Sequence, residues 1–278
     1  MLSYRHAFHA GNYADVLKHL VLVQVLQYLT QKDKPLCYID THAGSGLYKI
    51  NSKEAQKTGE YQHGIAPLWA LRQGPKALMQ YLDCVREVNR TEELKMYPGS
   101  GLFATQLLRP QDRLFMCELH STDFPLLQRT FASFHNAQCF EEDGFQKSIA
   151  LLPPIERRGV LLIDPSYEIK SDYQKVVEHL QQCYRRFATG VYLLWYPLVE
   201  VKRIETLCKN LQRSGVKRVH RFELGITTDH DQPGMTATGM IVVNPTFGLV
   251  EAVESCLPIL SAQLGDDSYW KSEILTGE

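Results

Sequence analysis

Leu36-Cys-Tyr-Ile-Asp40, followed at once by Thr41-His-Ala-Gly-Ser-Gly46, decides the fold. The apolar run is a strand, and glycines at 44 and 46 let backbone approach a ligand closely. Strand then glycine turn is the opening of a nucleotide-binding α/β unit. Upstream, Val16, Leu17, Leu20, Val21 and the residues to Tyr28 recur at helical spacing, which stops at Lys32-Asp-Lys-Pro35. Downstream, strand-like runs fall at 113–119, 137–141, 159–164, 190–196, 219–224 and 239–244, with helical stretches such as 173–187 and 198–214 between them. This alternation predicts a mostly parallel sheet covered on both faces. The last two runs are joined by a loop without a helix and read as an antiparallel hairpin at the sheet edge. Residues 49–96 interrupt the pattern. They carry Ala66, Leu68, Trp69, Leu71 and then Ala77, Leu78, Tyr81, Leu82 and Val85 at three-to-four spacing, which predicts an inserted helical segment.

The 278 residues, 44% of them hydrophobic, suit one α/β domain with an insertion. A net charge of −1 is not the basic excess of an electrostatic phosphate binder. Locally, Lys202, Arg203, Lys209, Arg213, Lys217, Arg218 and Arg221 face one acid, Glu205; that run could track phosphates, but a solvated helix face explains it as well. Cys37, Cys84, Cys117, Cys139, Cys183, Cys208 and Cys256 form no C-x-x-C pair, hence neither a zinc knuckle nor a disulfide framework. A reduced, cytoplasmic protein without a metal is expected. The longest apolar stretch, Leu20 to Leu26, is too short for a bilayer, and Met1 to Asn12 lacks the apolar core of a signal peptide.

Asp164-Pro-Ser-Tyr167 follows Val160-Leu-Leu-Ile163 and so sits at the carboxyl end of a buried strand, where open α/β sheets bind ligands. The exocyclic N6 of adenine is a poor nucleophile because its lone pair is delocalised into the ring. Asp164 can accept one N–H and the Pro165 carbonyl the other, favouring tetrahedral nitrogen. Tyr167 offers a face for an extruded base. The tetrapeptide alone is as readily an ordinary turn. The glycine turn is no P-loop and lacks the third glycine of a dinucleotide fingerprint. With the insertion excised, Glu118 ends the second strand, placed for ribose hydroxyls, and Asp143-Gly144 ends the third, placed for an adenine amine. Gly44 and Gly46, Glu118, Asp143 and Asp164 therefore fall in register at one sheet edge.

These motifs resemble those of the N6-adenine methyltransferases that modify one adenine of 23S ribosomal RNA. The likeness spans Leu2-Ser-Tyr-Arg-His6, Phe8-His-Ala-Gly-Asn12, Asp15-Val-Leu-Lys-His19, Asp40-Thr-His-Ala-Gly44, Tyr97-Pro-Gly-Ser100, Glu118-Leu-His120, Asp143-Gly-Phe145, Trp195-Tyr-Pro197 and Gly234-Met-Thr-Ala237. It implies a Rossmann-like class I methyltransferase fold with a mostly parallel seven-stranded sheet. Residues 1–48 and 97–278 would form the methyltransferase domain and 49–96 a helical subdomain. It implies S-adenosyl-L-methionine as cofactor, held by His19, His42, Ser100, Glu118, Asp143, Gly144 and Asp164, and 23S rRNA as partner. Tyr4, His6 and Lys18 would lie near the target base, with Lys18 joining Asp164, Pro165 and Tyr167 in catalysis. Read without the resemblance, His6, His9, Lys18 and His19 are surface residues beside a helix capped by Asn12. Ser166 stands where the family has a second proline, so the turn that aims the catalytic groups has a freer backbone. A monomer is expected. Two alternatives stay open: a DNA adenine methyltransferase, and a catalytically weak nucleic-acid-binding relative linked to use of external DNA.

Overall fold

The computed structural model describes residues 4–230 and 232–278. Its chain begins with a short arm and a 3-10 turn at His6–Phe8, then helix α1 (Tyr13–Leu29). Asn12 caps α1 by accepting the Asp15 N–H at 2.9 Å. Ten strands follow: β1 (Cys37–Asp40), β2 (Leu47–Lys49), β3 (Met96–Pro98), β4 (Arg113–Cys117), β5 (Ala137–Phe140), β6 (Gly159–Ile163), β7 (Val191–Leu198), β8 (Val219–Gly225), β9 (Ala237–Val243) and β10 (Tyr269–Thr276). The remaining helices are α2 (Lys53–Thr58), α3 (Ile65–Trp69), α4 (Lys76–Asn89), α5 (Ser100–Leu107), α6 (Phe124–Phe131), α7 (Gly144–Leu151), α8 (Asp172–Arg186), α9 (Val201–Arg213), α10 (Leu249–Glu254) and α11 (Leu257–Ala262).

Eight strands form one sheet in the order β10-β8-β9-β7-β6-β1-β4-β5. Pairs from β7 to β5 are parallel, and every residue of β1 is buried, as expected where helices cover both faces. The order reverses at β1, which lies between β4 and β6, and this opens a crevice beyond the carboxyl ends of those strands. The expected count of seven strands is corrected to eight. β8 and β9 do pair antiparallel, but not at the edge: β9 also pairs with β7, and β10 covers β8. β10 was illegible because it is an edge strand. Lys271 and Glu273 break its apolar alternation, and Trp270 and Ile274 are exposed.

The segment between β2 and β3 is closed at its base by the antiparallel pairing of those strands. It carries α2, a 3-10 turn at Glu60–His63, α3 and α4. Its Ile65, Leu68, Leu78, Tyr81 and Val85 join the same apolar cluster as Leu17, Leu20 and Val21 of α1. Removing that much apolar surface from water ties the insertion to the sheet through α1. Among the described residues no helix is long and apolar enough to cross a membrane.

Candidate active site

Three strand-end acids meet in one cleft. Glu118 after β4, Asp143 before α7 and Asp164 after β6 line the same cavity, together with His19, His42, Gly44, Ser100, Gly144 and Pro165. Tyr4, His6, Lys18, Asp164 and Ser166 also line a second cavity that adjoins it, whose far wall is Tyr13, Tyr167, Tyr173, Trp195 and Pro197. Asp164 thus stands on the partition between the two.

The glycine turn shapes the first cavity. Gly44 has φ +60°, where a Cβ would lie 2.0 Å from the Tyr48 hydroxyl. Its N–H donates to Glu118 Oε2 at 2.8 Å, and the His120 N–H donates to Oε1 at 2.7 Å. Burial raises the Glu118 carboxyl above its ordinary value, against these two donors. Gly144 is required by close approach: a Cβ there would sit 1.9 Å from the Thr41 carbonyl oxygen. Asp143 caps α7, accepting from the Phe145 N–H at 2.8 Å. Gly46 lines neither cavity; it turns the chain over Phe131, and its carbonyl accepts the Gly99 N–H. Ser100 reaches the cleft, but its hydroxyl donates to buried Asp40 at 2.5 Å. His42 Nδ1 is 2.7 Å from the Thr41 hydroxyl, and burial pulls the imidazole down to about 3, so it is neutral.

The arm and α1 supply the partition. Lys18 and His19 are buried, so the description of surface residues beside a helix start does not hold for these two. Lys18 Nζ lies 2.6 Å from Asp164 Oδ2 and 2.8 Å from Asp15 Oδ1. Burial opposes the ammonium, yet the two carboxylates hold its pKa above the ordinary lysine value. Asp164, its side chain 14% exposed, is raised to about 6, chiefly by burial and in opposition to Lys18. His6 Nε2 meets Asp15 Oδ2 at 2.8 Å, and the Tyr4 hydroxyl meets His6 Nδ1 at 2.9 Å. Tyr4, His6, Asp15, Lys18 and Asp164 therefore form one continuous hydrogen-bonded chain. Leu2 and Ser3 of the opening motif lie outside the described residues. Asp15 escaped the sequence reading, although its i,i+3 spacing to Lys18 was a usable signal.

His19 provides a test of fit for a cofactor. Its Nδ1 meets the Tyr97 hydroxyl at 2.8 Å, while Nε2 is buried without a partner in a wall of the cleft. Burial holds the ring neutral, well below the ordinary histidine value. In the tautomer where Tyr97 donates to Nδ1, Nε2–H is a desolvated donor awaiting an acceptor, which a ligand carboxylate would satisfy. Glu118, Asp123, Asp143, Asp164, Glu168 and Asp172 line the first cavity against Lys18 and Lys175, an acidic excess suited to a cationic ligand. The residues present fit a cationic amino-acid–nucleoside conjugate.

Tyr167 has a left-handed backbone, φ +53°, a strained state for a non-glycine residue costing about 1–3 kcal/mol. It is held because its hydroxyl donates to the Trp195 carbonyl at 2.6 Å and its ring packs on Tyr173 and Trp195, at 4.6 and 5.7 Å between centroids. Trp195, whose only sequence signal is the Trp195-Tyr-Pro197 motif, walls the second cavity.

The basic run on α9 and β8 is weaker than its sequence implies. Arg203 pairs with Glu200, Lys209 with Glu205, and Arg221 is largely buried against Glu223 and Glu273. Among the described residues, no group of three or more His, Cys, Asp or Glu side chains is arranged to hold a metal ion. Burial pushes the Cys37 and Cys117 thiols up to about 12, far from a reactive thiolate.

A family model described as ribosomal RNA large subunit methyltransferase D, RlmJ, matches residues 33–276. The chain is 48% identical over 264 residues to ribosomal RNA large subunit methyltransferase J of Escherichia coli, covering 95% of this chain and 94% of that protein. It is 44% identical over 281 residues to the protein of the same name from Haemophilus influenzae, covering 100% of both. Among solved structures, protein LPL1258 of Legionella pneumophila superposes with a TM-score of 0.90 at 36% identity, over 96% of this chain and 98% of that one.

Proposed function

Because the chain belongs to the RlmJ family of ribosomal RNA large subunit methyltransferases, we propose that it methylates the exocyclic N6 of an adenine in 23S rRNA. Its fold is the Rossmann-like class I methyltransferase sheet, and its methyl donor is S-adenosyl-L-methionine. The observation that carries the reading is the placing of Asp164 on the wall common to both cavities.

In this reading the first cavity holds the donor. Glu118 takes the ribose hydroxyls, His19 Nε2–H the carboxylate, and Asp143, Gly144, His42, Ser100 and Gly44 frame the remainder. When bound, the donor supplies an electrophilic methyl group on sulfonium. The second cavity receives the flipped adenine against Tyr167 and Trp195, beside Tyr4 and His6. Lys18 occupies Asp164 Oδ2, which leaves Oδ1 to accept one N6–H while the Pro165 carbonyl accepts the other. Both bonds aim the nitrogen lone pair at the methyl group and strengthen as positive charge grows on nitrogen. Asp164 Oδ1 then takes the proton that the methylated nitrogen loses. Lys18 keeps Asp164 ionised in a buried site and is a positioning residue. No covalent enzyme intermediate is needed.

Residues 1–48 and 97–278 form the methyltransferase domain in this account, and 49–96 an inserted helical subdomain. The protein works as a cytoplasmic monomer, where its ribosomal substrate is made. The DNA-directed alternative is not favoured, since both curated relatives are named for ribosomal RNA. The test is to map N6-methyladenosine in rRNA from cells with and without the gene. Loss of one modified adenine supports the reading; an unchanged map, or preferential methylation of duplex DNA by the purified protein, overturns it.

A further inference from the structure

We propose that Glu60, in the inserted segment, is a positioning residue for the RNA base, acting through His9 on the Tyr4 ring at the second cavity. This rests on the function proposed above. Glu60 Oε1 meets His9 Nδ1 at 2.8 Å, and Oε2 accepts from Asn12 Nδ2 at 2.9 Å. His9 in turn lies parallel to Tyr4, with 2° between ring planes and 5.3 Å between centroids. Tyr4, His9, Asn12 and Glu60 all line the second cavity. One carboxylate from the insertion thus fixes both the stacked pair in the arm and the residue that caps α1, the helix carrying Asp15, Lys18 and His19.

The seam around this contact has the same sense. The Thr58 hydroxyl donates to the Phe8 carbonyl, the Ile65 N–H donates to the Gly11 carbonyl at 2.9 Å, and the Arg5 guanidinium is 3.6 Å from Glu54. The first two join arm backbone to the insertion, and the third is an ion pair between side chains. Glu60 differs because its partner's ring continues into the wall that would meet the base. Stacking on an aromatic face contributes roughly 1–3 kcal/mol per base, and a ring can contribute that only if it is held in place. Among the described residues His42, Glu118 and Asp143 make no contact with Glu60. Without Glu60, Asn12 keeps its cap bond to the Asp15 N–H, which leaves α1 and His19 in place, so its loss should affect RNA far more than donor binding.

The test is steady-state methyl transfer to a 23S rRNA fragment by the full chain, with donor affinity measured by titration and amide exchange followed over residues 4–12. Glu60→Ala should lower kcat/KM for RNA about tenfold, the scale of one charge-assisted hydrogen bond, mainly through KM. Donor Kd should stay within about twofold, and exchange at 4–12 should accelerate. Glu60→Gln keeps an acceptor for His9 but turns an amide donor toward Asn12 Nδ2, and should recover part of the loss. His9→Phe keeps a ring and should exceed His9→Ala, and Glu60→Ala should add little in the His9→Phe background. An unchanged KM for RNA, an equal loss of donor affinity, or full additivity with His9→Phe would overturn the proposal while leaving the methyltransferase reading intact. A wild-type protein unable to methylate the RNA would overturn both.

Discussion

Replacing Lys18 by methionine should move the acid limb of the pH–rate profile, because the ammonium is what keeps Asp164 ionised. The carboxyl must accept an N6–H, so activity in the wild type is lost as pH falls through about 6. An opposite charge at hydrogen-bond distance lowers a carboxyl pKa by about 1–3, and the Lys18–Asp164 contact is 2.6 Å in a buried site. Removing it should carry Asp164 to roughly 7–9, cutting its ionised fraction at pH 7 from ~0.9 to between ~0.5 and ~0.01. The rate of labelled methyl transfer at pH 7 should therefore fall about twofold to ninetyfold and recover toward pH 9–10. Asp15 would keep His6 and the Gly11 N–H as partners. Breaking a buried pair still costs stability, about 3–5 kcal/mol, so unfolding curves at each pH must accompany the rates. A folded Lys18→Met enzyme whose acid limb coincides with wild type would refute the electrostatic role.

Gly144→Ala should abolish donor binding, because its Cβ would displace the α7 terminus from Thr41; a titration showing wild-type affinity would contradict this. Tyr167→Phe removes the bond to the Trp195 carbonyl and should destabilise the fold by about 1 kcal/mol, seen as a fall in Tm; an unchanged Tm would show that ring packing alone holds the strained backbone. Ser166→Pro breaks no hydrogen bond found among the described residues and stiffens the catalytic turn. It should raise kcat, because fewer turn conformations compete with the one that aims the acceptors of the amine, and no gain would mean that the serine turn is already fixed by its surroundings.

Strand ends were legible because a buried parallel strand announces itself by an unbroken apolar run, as in Val160–Ile163, and the residue after it must face the crevice. That one rule brought Glu118 and Asp164 to a common edge, while Asp143 lies three residues beyond the half-buried β5 and was placed by the Asp-Gly pair that opens α7. Gly46 failed it: the sequence shows two glycines in a turn, but only packing distinguishes the one facing the cleft from the one lying over Phe131. β10 failed too, since an edge strand need be apolar on neither face. Asp15 and Glu60 were hidden for other reasons. Glu60 acts through His9, 51 residues away, and a carboxylate's partner across a fold has no local signature. Asp15 does carry one, its i,i+3 spacing to Lys18, but such spacing is common on solvated helices and does not reveal burial. The basic run on α9 misled in the opposite direction, because Glu200, Glu223 and Glu273, outside or beyond the run, neutralise much of it.

The central claim is that Asp164 presents an adenine amine to a methyl donor held by its neighbours. It is tested most directly by incubating purified protein, isotopically labelled S-adenosylmethionine and unmodified 23S rRNA, then digesting the RNA to nucleosides. Wild type should place the label in N6-methyladenosine alone. Asp164→Ala, tested at a donor concentration shown by titration to saturate it, should place label nowhere. Label in any other nucleoside, or undiminished transfer by Asp164→Ala, would contradict the account.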